Sequence, residues 1–365
     1  MEVLLFILSS PIRSKLIDKE NPKRYHEKNE SGGLSRMKNI AILGCGVIAS
    51  IMARTLREME RRGSPICLYA AAARSLERAQ TFCEKEGFSV AYGSYEELVR
   101  DPKVDLIYIA TPHSHHAEQA KLCLAHGKAI LVEKAFTANA KQAREVLNLA
   151  KEKNVLVAEA IWPRYMPARK IIEETLASGA IGTPQLIRAN LSGFAEDIER
   201  IYNPALAGGA LLDVGIYPLT FAAQFFGSDI ERIDSSVQMF DTGVDKQETL
   251  TLHYADGRTA VLFAGVSAWY PKTCYISGTE GYLSVDYCAN PREVTLCKMV
   301  GGKLQTQNIP LPEQISGYEF EIEACLRALD EGRIECPEMP HSETIRMMEI
   351  MDAIRAQWNM TYPFE

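Results

Sequence analysis

The chain lacks the features that would tie it to a membrane, a polyanion or an oxidising compartment. Its nine cysteines stand singly, without a C-x-x-C pair. An odd set of isolated thiols argues against a disulfide framework and for a reducing compartment. The longest early apolar run, residues 3–8, is far too short to span a bilayer. Glu2 stands where a secretory signal would carry basic residues, and no twin arginine occurs in residues 1–36; a cytoplasmic location is expected. Positive charge is also in deficit: 40 Lys and Arg against 47 Asp and Glu leave a net charge of −7. An acidic surface attracts neither nucleic acid nor anionic lipid, so neither is expected as a partner.

What is present is material for a core. A 47% hydrophobic share over 365 residues suits a soluble protein of two domains. Residues 1–36 are polar, charged and aperiodic over most of their length and are expected to form a disordered extension, with Met37 as an alternative initiator. From Asn39 onward, apolar strands at 40–43, 66–73, 105–110, 129–132 and 155–158 alternate with amphipathic helices at 47–61, 76–86, 114–125 and 138–151. That alternation predicts a doubly wound parallel sheet, a dinucleotide-binding domain over 37–158. Over 159–365 the stretches 184–191, 233–240, 247–254, 259–264, 272–277 and 282–285 are strand-like, and turn pairs such as Asp256-Gly257 separate several of them. Helical periodicity returns at 318–332 and 342–358. This half is expected to be an α+β substrate-binding domain. Its largely antiparallel sheet would leave one face open for a second subunit, so a homodimer is expected, with the C-terminal helices returning to the first domain.

The turn Gly44-Cys45-Gly46-Val47-Ile48-Ala49 follows a strand and opens a helix. Gly44 permits the tight turn, Gly46 lets backbone approach a pyrophosphate, and small Ala49 lets helix and strand pack closely. The helix N-terminus offers free N–H groups to the phosphates. After the second strand, an NAD-binder would place an acid for the ribose hydroxyls. Here Arg74 and Ser75 stand instead, with Arg78 one turn later, a set suited to a 2′-phosphate. NADP is the expected cofactor and NAD the alternative; solvated helix-start residues are the plain reading of the same three. His113, His115 and His116 cluster without a carboxylate or thiol at ligand spacing, so no metal is expected.

With Thr111-Pro112-x-x-x-His116, Glu133-Lys134, Gly208-Gly209-Ala210-Leu211-Leu212-Asp213-Val214-Gly215-Ile216-Tyr217 and Gly278-Thr279-Glu280-Gly281, the chain resembles the Gfo/Idh/MocA oxidoreductases over 38–360. The segment from Glu159 to Pro167 is similar to the branch holding dimeric dihydrodiol dehydrogenase and NADP-dependent D-xylose 1-dehydrogenase. The resemblance implies that Lys134 is the catalytic lysine, although Ala135 stands where the family has proline. It implies that Tyr217 is the proton donor or acceptor and that Asp213 orients the pair. A Lys134 ammonium nearby would lower the tyrosine toward phenolate. Thr111, Pro112, His116 and Glu133 are expected near the cofactor. Trp162 and Arg164 are expected to line the pocket, and Arg188 and Phe194 to face the substrate. The expected activity is hydride transfer between nicotinamide and a sugar or cyclic-diol hydroxyl. The alternatives are a non-catalytic dinucleotide-binding regulator and a sugar oxidoreductase with tightly held NADP.

Overall fold

A computed structural model describes residues 36–365; the expected disordered extension and the Met1-or-Met37 question fall almost wholly on residues outside that range. The first sheet has strands β1 (Lys38–Leu43), β2 (Ile66–Ala72), β3 (Val90–Tyr92), β4 (Leu106–Ile109), β5 (Ala129–Glu133) and β6 (Val157–Ala160) in the order β3-β2-β1-β4-β5-β6, all parallel. Helices α1 (Val47–Arg61), α2 (Leu76–Glu86), α3 (Tyr95–Arg100), α4 (His113–Ala125) and α5 (Ala140–Lys153) cross between them. The central strands are largely apolar because helices cover both faces. Ile40, Ile42 and Leu43 are fully buried, and trimming any one to alanine would cost about 2–5 kcal/mol. Strand order reverses between β1 and β4, and a ligand crevice opens at such a switch point. Strand β3 and helix α3 are additions to the five expected strands and four helices.

The second sheet follows α6 (Pro167–Ala177). Its eight strands are β7 (Pro184–Ser192), β8 (Arg232–Met239), β9 (Asp245–His253), β10 (Thr259–Gly265), β11 (Cys274–Gly278), β12 (Gly281–Val285), β13 (Val294–Val300) and β14 (Lys303–Ile309). Their order is β14-β13-β12-β11-β7-β10-β9-β8, antiparallel except where β7 and β10 run parallel. Between β7 and β8 come the short helix α7 (Glu199–Tyr202) and a π-turn, Leu211–Gly215, leading into α8 (Ile216–Phe226). Helix α8 packs on β7 and β10. The stretch Pro204–Phe226 is apolar and long enough to cross a membrane, but 89% of its most apolar window is buried inside the protein. The other sheet face exposes Leu186 and Val261.

Helix α9 (Glu319–Asp330) lies on α1, and α10 (His341–Gln357) packs against α5 and α8. The last residues are tied down. Arg355 pairs with Glu365 at 2.9 Å, and the Tyr362 hydroxyl donates to Gly208 O at 2.7 Å. The chain end thus holds the segment that leads into the π-turn. All nine cysteines are free thiols.

Candidate active site

The turn after β1 needs its glycines. Gly44 sits at φ +100°, and a Cβ there would lie 2.8 Å from Ala110 O. A Cβ on Gly46 would meet nothing nearer than Ala110 O at 4.0 Å, so the backbone there stays open to a ligand. Helix α1 begins without a side-chain cap or an acid in its first turn, leaving its N–H groups for an anion. The cradle therefore fits a dinucleotide. Gly44, Cys45, Gly46, Val47 and Ile48 line a cleft of about 1010 Å³, as do Arg74, Arg78, Thr111, Pro112, Glu133, Lys134, Asp213 and Tyr217. Burial pushes the Cys45 thiol up to about 12, so it is an inert neighbour.

Lys134 follows directly on β5, and its peptide bond to Ala135 is cis. Its Nζ donates to Asp213 O at 2.6 Å and to Asp213 Oδ1 at 3.3 Å. Asp213 stands on the π-turn, where the widened helical turn exposes its main-chain oxygen to the lysine. Arg200, from α7, donates to the same Oδ1 at 2.7 Å. Burial alone would raise the Asp213 carboxyl; the charges of Arg200 and Lys134 outweigh it and hold the group well below the usual range. Glu133 is pushed up by burial, although the Lys134 charge and the Tyr108 hydroxyl that donates to it pull the other way.

Tyr217 is fully buried and accepts from Trp162 Nε1 at 3.2 Å. The expected lowering toward phenolate is not found. Lys134 Nζ lies over the face of the ring, 5.1 Å from its centre, and is hydrogen-bonded to Asp213. Burial first, then Tyr318 and Glu133, drives the phenol well above its ordinary value. The tyrosine is therefore a protonated acid.

Five predicted residues lie outside the cleft lining. The Ser75 hydroxyl caps α2, accepting from Arg78 N at 3.2 Å, because an N-cap turns its side chain back onto its own helix. His116 is buried behind the cleft wall, its ring nitrogens 2.7 Å from Thr111 O and 2.9 Å from Ala135 O. It ties the turns after β4 and β5 together. Trp162 stacks on Tyr318 with ring centres 4.2 Å apart, filling the core beneath Tyr217. Arg164 turns to the C-terminal segment, donating to Glu338 O at 3.2 Å and facing Glu343. Phe194 does line the cleft, whereas Arg188 is exposed on the opposite sheet face, over the Tyr275 ring.

Several lining residues are not apparent from the sequence: Arg200, Tyr318, Tyr95 and Gln119, together with His113 and His115, whose spacing suggests only metal ligands. His113 is held neutral, lowered to about 3 by burial and by His116 and Lys134. Among the described residues, no cluster of three or more His, Cys, Asp or Glu could hold a metal.

Two family models match the chain. Residues 38–161 match the oxidoreductase family with an NAD-binding Rossmann fold, and residues 170–284 match the GFO/IDH/MocA C-terminal domain. The trans-1,2-dihydrobenzene-1,2-diol dehydrogenase of Mus musculus is 34% identical over 331 residues, covering 88% of this chain and 97% of the relative. The Homo sapiens protein of the same name is 32% identical over 332 residues, with the same coverage. Among solved structures, a 3-ketoreductase from Actinomadura kijaniata, in complex with NADP and TDP-benzene, is 25% identical at a TM-score of 0.79 over 87% of this chain and 97% of that one. A levoglucosan dehydrogenase in complex with NADH shares the fold at 18% identity and a TM-score of 0.78, over 87% of this chain and 96% of its own. The chain belongs to the Gfo/Idh/MocA family of oxidoreductases, built on an NAD-binding Rossmann domain.

Proposed function

We propose that the protein is an NADP-dependent dehydrogenase interconverting a hydroxyl of a sugar or cyclic diol with the corresponding carbonyl. One observation carries this reading. The glycine turn and two arginines that have no acidic partner among the described residues share a single cleft with a buried Lys134–Asp213 pair and a protonated Tyr217. A bound nicotinamide would supply the hydride chemistry. Gly44 to Ile48 would hold its pyrophosphate, and Arg74 with Arg78 the 2′-phosphate.

The chain's own residues handle the proton and the charge. Tyr217 donates its hydroxyl proton to the substrate oxygen in reduction and takes it back in oxidation. Trp162 Nε1 fixes the phenol and favours its deprotonated form when that form is needed. The Lys134 ammonium stabilises negative charge developing on the same oxygen. Phe194, Ile198, Leu206 and Tyr318 supply apolar walls that exclude water from these steps. The dihydrodiol dehydrogenase relatives support a diol substrate, and the NADP complex of the ketoreductase supports the cofactor.

The same proposal includes a dinucleotide-binding half and a substrate-binding half meeting near residue 158. It also includes a homodimer joined through the open face of the second sheet, where Leu186 and Val261 are exposed, and a cytoplasmic location. Screening NADP reduction against aldoses, inositols and trans-dihydrodiols tests the substrate. Lys134→Met and Tyr217→Phe should each lower kcat by about 10²-fold or more while cofactor affinity is kept. Near-normal turnover in both variants overturns the reading.

A further inference from the structure

Asp213 holds two cations on one oxygen, and the two contacts are unequal. Arg200 Nη1 sits 2.7 Å from Oδ1, Lys134 Nζ 3.3 Å from it, and Arg200 Nη2 reaches Oδ2 at 3.4 Å. A lysine alone with a buried carboxylate would close to full ion-pair contact, and its charge would be spent on that partner. Here the arginine takes the shorter bond. Lys134 is held chiefly by the main-chain oxygen of Asp213, at 2.6 Å, and the three groups together carry a net charge of +1.

The placement of Arg200 is built in. Gly209 N donates to Ile201 O at 2.7 Å. A Cβ on Gly208 would lie 2.5 Å from Ile201 O and 3.0 Å from Arg200 O. Only glycine lets helix α7 pack directly on the segment that carries Asp213.

We infer that Arg200 is a positioning residue for the reaction: by taking the shorter bond to Asp213 Oδ1 it keeps the carboxylate from fully neutralising the Lys134 ammonium and leaves the three groups one charge positive, ready to stabilise the substrate oxyanion. Gly208 serves the same arrangement from the backbone side. The inference rests on the proposed roles of Lys134 and Tyr217.

The test uses the full chain with Arg200→Met, Arg200→Lys and Gly208→Ala, and Lys134→Met as the reference. Kinetics are run with NADP and trans-1,2-dihydrobenzene-1,2-diol. Titration of the Asp213 carboxyl is followed by carbon NMR, which needs no turnover. Asp213 is faced by Arg200 from α7, Lys134 from the end of β5 and His113 from the start of α4. Arg200→Met should lower kcat by about tenfold or more, with KM and cofactor affinity within about threefold. It should also move the acid limb of kcat/KM and the Asp213 titration to higher pH. Arg200→Lys should keep the titration near its original position and recover part of kcat, and Gly208→Ala should behave as a weaker Arg200→Met. A rise in KM alone would make Arg200 a substrate ligand and overturn the inference. An unmoved Asp213 titration in Arg200→Met also overturns it, whether or not the diol is turned over. If Lys134→Met is itself harmless, the catalytic reading fails, and the titration still decides whether Arg200 governs Asp213.

Discussion

Replacing Arg74 and Arg78 tests the cofactor preference most directly. Both side chains line the cleft, both are exposed, and neither has an acidic partner among the described residues. His115 and Tyr95 line the same wall. A hydrogen bond to a charged group contributes roughly 1.5–3 kcal/mol, and exposure to water places these arginines at the lower end. Each Arg→Ala change should then weaken NADP binding about tenfold, and the pair about a hundredfold if their effects add. NAD lacks the 2′-phosphate, so its affinity should stay within about twofold. Fluorescence titration of both reduced dinucleotides against wild type and the three variants measures this. Repeating it at high salt should erode the wild-type preference and leave the double variant unchanged. Equal losses for both dinucleotides, or a wild type indifferent between them, would refute the assignment of these arginines to a phosphate.

Ser75→Ala separates capping from cofactor binding: about 1 kcal/mol of stability should be lost in urea unfolding, with the KM for NADP unchanged. Because burial keeps the Tyr217 phenol protonated, kcat/KM for oxidation should climb through the alkaline range; a flat profile up to about pH 10 would remove Tyr217 as the base. His113 has a folded value of about 3, against an ordinary 6.5. The unfolded chain therefore binds a proton below pH 6.5 that the folded chain refuses, so the stability from this group is present above pH 6.5 and lost as pH falls toward 3. His113→Asn should narrow its stability deficit relative to wild type by about 2 kcal/mol between pH 7.5 and 5. A pH-independent deficit in paired urea titrations would contradict the buried neutral imidazole.

The parallel sheet was legible because its central strands are buried on both faces and read as continuous apolar runs. Strand β3 is three half-buried residues with no such pattern. Helix α3 carried a readable signal, the capping box in which Ser94 accepts from Glu97 N and Glu97 from Gly93 N. Strand β14 is exposed at nearly every position, so its sequence holds no alternation to find. In the site, the glycine turn, Lys134, Asp213 and Tyr217 sit in contiguous motifs. Arg200 and Tyr318 arrive from elements whose own sequences say nothing of the cleft, and tertiary packing alone brings them there. The direction of the Tyr217 shift needed geometry as well, since it depends on the burial of the ring beside Tyr318 and Glu133.

The tie between Tyr362 and Gly208 has a consequence for the order of manufacture. The strands of the dinucleotide cradle are complete by Ala160, whereas the tie behind Gly208 is supplied 154 residues further along the chain than Gly208 itself. Synthesis from the N-terminus therefore finishes the cradle well before the segment leading into the π-turn can be pinned. Holding a dinucleotide and transferring a proton are separable events in the life of each molecule, divided by the docking of one tyrosine.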